Sequence, residues 1–299
     1  LMDGSTMTAH GRSDLGVELR RAVDLGQLAL VYQPVVALAS GRISGLEALV
    51  RWHHPELGDV PPSEFIDIAE DNGTILPIGR WVLRQACEQI AAWQRVGVVP
   101  PDAFVCVNVS AREVREAGFV GAVEEALAWS EMAPSHLIVE ITETALRRPS
   151  PAMFENLASL RAIGVVVVID DFGTGELALS HLQAFGVDAL KIAPLLVQVD
   201  DEAARPARLA KAIVALCDSL GMATVAEGIE TKVQAERMRA LGCTYGQGYF
   251  FARPLTAHDI DEGVEGLATN HRWRPETPRV APMPRPVPRA LTARQPTAA

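Results

Sequence analysis

No Cys-x-x-Cys pair occurs among the 299 residues: Cys87, Cys106, Cys217 and Cys243 stand far apart. That spacing excludes a zinc knuckle and offers no disulfide framework, so the four read as small core residues. Also missing is any run of about 18 or more uncharged apolar residues, the minimum for a membrane-spanning helix. The opening residues, Leu-Met-Asp-Gly-Ser-Thr-Met, lack the charged-then-apolar order of a secretion signal. A cytoplasmic chain with no membrane span is the expectation. Positive charge is short as well. The net charge of -10 argues against holding a nucleic acid polymer by phosphate neutralisation, which needs a basic face. The shortage is deepest in the body, because residues 271–299 carry six Arg and one Glu, leaving 36 acids against 21 bases before them. An acidic body that binds an anion needs metal ions or a few placed cations.

What is present points to a folded α/β chain. Hydrophobic residues make up 48% of it and the mean hydropathy is +0.14, enough for a well-filled core. Apolar positions Leu19, Ala22 and Val23 recur at helical spacing from Val17 and stop at Gly26, predicting a short first helix. Residues 1–16 read as a linker or the end of an upstream domain. Leu28 to Leu38 predicts a strand interrupted by Pro34, and Ser40-Gly41 turns it into a second strand, Ile43 to Trp52, which favours an antiparallel hairpin. Ser63 is expected to cap a short helix. Pro77 to Val96 predicts a longer one with an apolar stripe through Ile78, Trp81, Val82, Ala86, Ile90 and Trp93. Strand then alternates with helix, the strands falling at Phe104–Val109, Leu137–Ile141, Val165–Ile169, Ala189–Ile192, Ala223–Ala226 and near Thr244. Eight strands in about 250 residues is the usual size of a closed (β/α)8 TIM-like barrel. The barrel domain is expected over 17–268, followed at 269–299 by a Pro/Arg-rich tail with seven of the 20 prolines, a composition that builds no core.

Barrel active sites form at the carboxyl ends of the strands, and polar residues gather there. Glu47 lies in the second strand, Asn108 near the end of the third, Glu140 in the fourth, Asp170 and Asp171 end the fifth, Lys191 lies in the sixth, Glu227 ends the seventh and Gln247 follows the eighth. Singly, each has a structural explanation. Asn108 or one Asp could cap a helix, Lys191 could snorkel, and Glu140 or Glu227 could pair with an Arg. Seven strand ends on one mouth outweigh those explanations. Carboxylates and one amide oxygen, without His or Cys, suit hard cations such as Mg²⁺ or Mn²⁺. Five carboxylates could hold two ions, an arrangement that cleaves phosphate esters. Lys191 would then orient or help deprotonate the water, and Arg51 could grip a phosphate.

The segment Glu47-Ala48-Leu49-Val50-Arg51-Trp52 resembles the signature of the EAL family of cyclic di-GMP phosphodiesterases. The likeness runs from about Val17 to Leu255. It includes Tyr32-Gln33-Pro34, Asn108-Val109-Ser110, Glu140-Ile141-Thr142-Glu143, Asp170-Asp171-Phe172-Gly173-Thr174-Gly175, Leu190-Lys191-Ile192, Ala226-Glu227-Gly228-Ile229-Glu230-Thr231 and Gln247-Gly248-Tyr249. The resemblance implies a barrel with one antiparallel strand, and hydrolysis of cyclic di-GMP to linear pGpG. It assigns one metal to Glu47, Asn108, Glu140 and Asp170, and a second to Asp170, Asp171 and Glu227. Lys191 acts on the water, with Glu47 and Glu227 counted among the catalytic groups. Gln33, Arg51 and Gln247 serve the substrate, while Glu143, Thr174 and Glu230 support the site. A homodimer and an upstream GGDEF or sensor domain are the partners that it implies. Two departures stand out. The family's usual Leu-Lys-Ile-Asp ends here in Ala193, and its Tyr-Ser-Ser-Leu is Glu176-Leu177-Ala178-Leu179. These keep a second reading open: a weakened domain that captures cyclic di-GMP, or regulates a partner, without cutting it.

Overall fold

The aliphatic and β-branched runs form strands, as their composition favours. In the computed structural model, which describes residues 9–147, 149–175, 182, 184–199, 201 and 203–269, they are β1 (Leu28–Ala37), β2 (Arg42–His54), β3 (Gly58–Val60), β4 (Phe104–Asn108), β5 (Leu137–Thr142), β6 (Val166–Phe172), β7 (Ala189–Ile192), β8 (Ala223–Ala226), β9 (Tyr245–Gly246) and β10 (Leu255–Thr256). The sheet order β1-β9-β8-β7-β6-β5-β4-β2 is closed by a β1–β2 pairing, giving an eight-stranded barrel. β1 runs antiparallel to both its neighbours and the other neighbours pair in parallel. The (β/α)8-like barrel with one inverted strand is therefore the fold. β3 and β10 extend the sheet beyond the barrel, and their two or three residues are too short to carry a strand signal in the sequence.

Several boundaries differ from expectation for local reasons. The first helix spans Ala9–Ala22, crossing the expected linker boundary at residue 16, and it buries Leu15 and Leu19. Pro34 does not interrupt β1. On the side away from β2 the strand pairs only at Val31–Tyr32 and Val36–Ala37, so a residue without an N–H is tolerated between them. Ser63 is not a cap: the helix Pro62–Asn72 starts after Pro61 with no side-chain cap, its first turn pre-shaped by proline. The long helix starts two residues early, at Ile75, and buries Ile78, Val82, Ala86, Ile90 and Trp93, with Trp81 half-buried. Ser110, not Asn108, caps the helix Ala111–Arg115, in a capping box with Glu113. The segment Glu176–Leu179 and the tail from residue 270 lie outside the described residues, as do residues 1–8.

Two apolar layers hold the barrel together. The larger lies between the strands' outer faces and the helices, and a smaller one, including Val35, Cys106, Ile138, Val168, Ala189, Val225 and Tyr245, fills the interior. All four cysteines are buried free thiols. No helix among the described residues is long and apolar enough to cross a membrane.

Candidate active site

Side chains on a strand alternate between faces, so the interior layer fixes what lies above it. Two residues beyond Cys106, Ile138, Val168, Ala189, Val225 and Tyr245 come Asn108, Glu140, Asp170, Lys191, Glu227 and Gln247. Because β1 runs the other way, the position above Val35 is Gln33, which pairs in register with Glu47 on β2. Strand periodicity thus places one ring of polar residues at the barrel mouth.

Asp171 breaks this alternation. β6 was expected to end at Ile169, but it continues to Phe172, and regular alternation would turn Asp171 outward. Instead, two residues of β6, Asp170 and Asp171, are set against one of β7, Lys191, between the Ile169↔Leu190 and Phe172↔Ile192 pairs, with Asp171 at φ 55 in the left-handed region. Asp tolerates that region better than most residues. Its N–H donates to Asp170 Oδ1 at 2.9 Å. The bulge brings both acids to one side, where oxygens of Asp170, Asp171 and Glu227 lie within 4.8 Å of one another.

Lys191, only 1% exposed, stands among four carboxylates, which excludes snorkelling. Its Nζ lies 2.9 Å from Glu227 Oε1, 3.0 Å from Glu140 Oε2, and 3.3 Å from both Glu47 Oε2 and Asp170 Oδ1. Glu47 also accepts from Asn108 Nδ2 and Gln247 Nε2, each at 2.6 Å. Gln247 Nε2 reaches Gln33 Oε1 at 3.1 Å as well, and Gln33 Nε2 donates to Ala252 O at 3.1 Å. One layer out, Glu143 Oε2 accepts from the N–H groups of Gly173 and Gly175 at 2.9 and 3.0 Å, fastening the loop after Asp171, while Thr174 Oγ1 donates to Asp171 O. Arg51 and Glu230 stand apart from this cluster. Arg51 Nη1 donates to Val50 O, and Glu230 Oε1 accepts from Gln198 Nε2.

Charge in the cluster is unbalanced. Burial opposes the Lys191 charge, but the surrounding carboxylates outweigh it and hold the ammonium protonated well above its usual range. Burial would lift Glu47, yet Lys191 and the Gln247 and Asn108 hydrogen bonds hold it below the ordinary value. Burial pushes Glu140 up to about 8 and Glu227 well above the carboxylate range, and burial together with Asp170 raises Asp171. One lysine does not offset so many acids, and a cation is the physical remedy. The donor set fits one: it is all oxygen, with no His or Cys, as hard cations require. Gln247 Oε1 is buried beside Glu47 without a partner, an acceptor left for whatever enters the site.

Two openings flank the cluster. One, of about 770 Å³, is lined by Arg51, Asn108 and the apolar Leu49, Ile66 and Ile78; the other, of about 320 Å³, by Glu227, Gln198 and Tyr249. Tyr249 is half exposed and carries Arg253 over its ring at 4.3 Å. Two contributors to the larger opening carried no signal in the sequence. A side chain on Gly79 would put its Cβ 1.6 Å from Glu113 Oε1, so the long helix passes over the β4 exit only because that residue is bare. Glu113 is 4% exposed, and burial pushes its carboxyl to about 7 from 4.5. The folded protein therefore holds an extra proton there between the two values. The associated stability is full below 4.5 and lost as pH rises through about 7. Glu113→Gln, which keeps an acceptor for the Ser110 N–H, should be more stable than the parent at pH 8 by on the order of 3 kcal/mol, with the two converging near pH 4.5. Urea midpoints across that range measure it, and parallel curves for the two proteins would contradict the assignment.

The departure at residue 193 also acquires a location. Ala193 is buried, stands two residues past Lys191, and occupies the N-cap of the short helix Pro194–Val197 without a side-chain cap.

A barrel whose parallel strands end in an acidic cluster around a buried lysine has the oxygen donors that could hold a cation. Comparison with known proteins narrows the class. A family model described as the EAL domain matches residues 17–254. The bifunctional diguanylate cyclase/cyclic di-GMP phosphodiesterase MucR of Pseudomonas aeruginosa is 39% identical over 258 residues, 86% of this chain and 37% of MucR. The oxygen sensor protein DosP of Escherichia coli is 41% identical over 247 residues, 82% of this chain and 30% of DosP. Among solved structures, the PaMucR phosphodiesterase in complex with c-di-GMP superposes with a TM-score of 0.77 at 40% identity, covering 83% of this chain and 99% of that one. The chain belongs to the EAL domain family. It spans about a third of the length of these curated relatives.

Proposed function

We propose that this domain hydrolyses one phosphodiester of cyclic di-GMP to linear pGpG, using two Mg²⁺ or Mn²⁺ ions. The observation that carries the reading is Lys191 buried among Glu47, Glu140, Asp170 and Glu227, with Asp171 turned in beside them by the bulge. A module that only captures the dinucleotide has no need of that cluster. Similarity to the MucR phosphodiesterase and its c-di-GMP complex supports the substrate.

In this reading Glu47, Asn108, Glu140 and Asp170 hold one ion, and Asp170, Asp171 and Glu227 the other. When bound, the ions supply Lewis acidity that activates water at neutral pH and offsets charge on the scissile phosphate. Lys191 keeps its proton at Nζ and orients the attacking water. Gln247 holds Glu47 in place from one side and Asn108 from the other. Arg51, which turns back on its own backbone here, swings to a phosphate, for which its fork of donors is matched. Gln33 meets the nucleotide at the same rim, and Glu143 keeps the loop that carries Asp171 from swinging away.

The test is purified protein with cyclic di-GMP, with and without Mg²⁺ or Mn²⁺, followed chromatographically for linear product. Product appears only with metal. Binding without product would sink the enzyme and leave the capture module. Ala193 bears on this choice. Ala193→Asp supplies the missing N-cap, a change of about 1 kcal/mol in typical helices, and adds an acid beside the mouth. We expect a raised melting temperature and a faster rate, and an unchanged rate clears this position of blame.

A further inference from the structure

We infer that Gln198, outside the acidic cluster, is a positioning residue that fixes Glu227 and thereby sets how tightly Asp170, Asp171 and Glu227 hold a divalent cation; this rests on the metal reading above. The carboxyl groups of Asp170, Asp171 and Glu227 lie within 4.8 Å of one another and repel once ionised to hold a cation, so something must resist their separation. Asp170 and Asp171 are fixed by the sheet and by the Glu143 fastening. Glu227 lies just past β8, where the sheet ends. Its own N–H donates to Ile192 O at 3.1 Å, which fixes one side of it. Lys191 holds its carboxylate at 2.9 Å, and Gln198 fixes the backbone on the other side. Its Nε2 donates to Gly228 O at 2.9 Å and to Glu230 Oε1 at 3.2 Å, spanning the turn that carries Glu227 away from the strand.

Gln198 is itself held. Arg237, on the helix Lys232–Ala240, donates through Nη1 to Val199 O and through Nη2 to Val197 O, the carbonyls on either side of Gln198. Gln234, from the same helix, accepts from Glu230 N at 2.8 Å. The β7 exit, the β8 exit and this helix therefore form a closed ring of hydrogen bonds. Gly228 shows how tightly the ring closes. It sits at φ +64, and a Cβ on it would lie 2.7 Å from Pro194 Cβ and 3.0 Å from Gln198 Nε2. Removing the Gln198 amide opens the ring at the residue next to Glu227 and lets repulsion move its carboxylate outward.

Calorimetric titration of Mn²⁺ alone into the parent protein, Gln198→Ala and Gln198→Lys tests this. Gln198→Ala should bind Mn²⁺ about 3- to 10-fold more weakly, below the 10- to 100-fold typical of groups bonded directly to a ligand, because it acts through the backbone. Its melting temperature without metal should match the parent's, and kcat at saturating Mn²⁺ should return toward the parent's. Gln198→Lys restores a donor to both acceptors and should recover the affinity. Should Gln198→Ala not fold, Gln198→Asn, whose amide is one methylene shorter, gives the same comparison. Parent-like Mn²⁺ affinity in the variants overturns the inference alone. A parent protein that binds no Mn²⁺ overturns the metal reading and the inference with it.

Discussion

Glu47→Ala is expected to abolish the proposed metal-dependent turnover. The fall should exceed about 100-fold, the upper end for removing a group that only supports a ligand, because Glu47 is proposed to be a ligand and is also the hub of the cluster. Lys191, Asn108 and Gln247 all donate to it. Removing its carboxylate leaves the Asn108 amide and one arm of the lysine without that acceptor, and Gln247 with Gln33 Oε1 alone, at roughly 1–3 kcal/mol for an unpaired buried group. The protein should nevertheless fold, since Lys191 keeps Glu140, Asp170 and Glu227. Product formation and melting temperature are therefore measured together. A folded variant with an unchanged rate means that the reaction runs elsewhere.

Lys191→Met has the opposite balance, with a large effect on stability as well as on rate. It leaves four acids facing one another with no protein cation among them, and breaking a buried ion pair from one side costs about 3–5 kcal/mol. Without metal, the variant should melt far below the parent. With metal the ordering changes. Lys191 and a divalent ion compete for the same oxygens, so Mn²⁺ should bind the variant more tightly and raise its melting temperature by more than it raises the parent's, through mass action on the folded state. Turnover stays low, because the group proposed to orient the water is gone. A variant as stable as the parent without metal would show that Lys191 does not offset the acids.

The barrel and most of the site could be read from residues in order. Polar residues such as Asn108, Glu140 and Glu227 at the ends of aliphatic runs are a period-two signal, and strand geometry does the rest. Asp171 is different. Adjacent acids at a strand end say nothing of a bulge, because the register shift is set by how β6 meets β7, eighteen residues further along. Gln198, Gly79 and Glu113 were illegible for a related reason. Each matters through a residue distant in sequence: Gly228 for the first, and one another for the other two. The caps failed locally, at Ser63, because proline had already shaped that first turn.

The inverted opening strand also decides where the chain enters. In a barrel of eight parallel strands, the N-terminal segment would arrive at the face opposite the mouth. Here β1 starts at the mouth, with Leu28 paired to Trp52 and Ala29 to Arg51. Gln27 just before it receives the His53 N–H at 2.9 Å and Trp52 Nε1 at 3.1 Å, and Glu18 on the helix Ala9–Ala22 meets His54 at 2.7 Å. The entering helix is therefore tied to the strand that carries Glu47 and Arg51. A twist applied to that helix arrives first at the rim where substrate would be gripped, with no need to cross the barrel's packed interior.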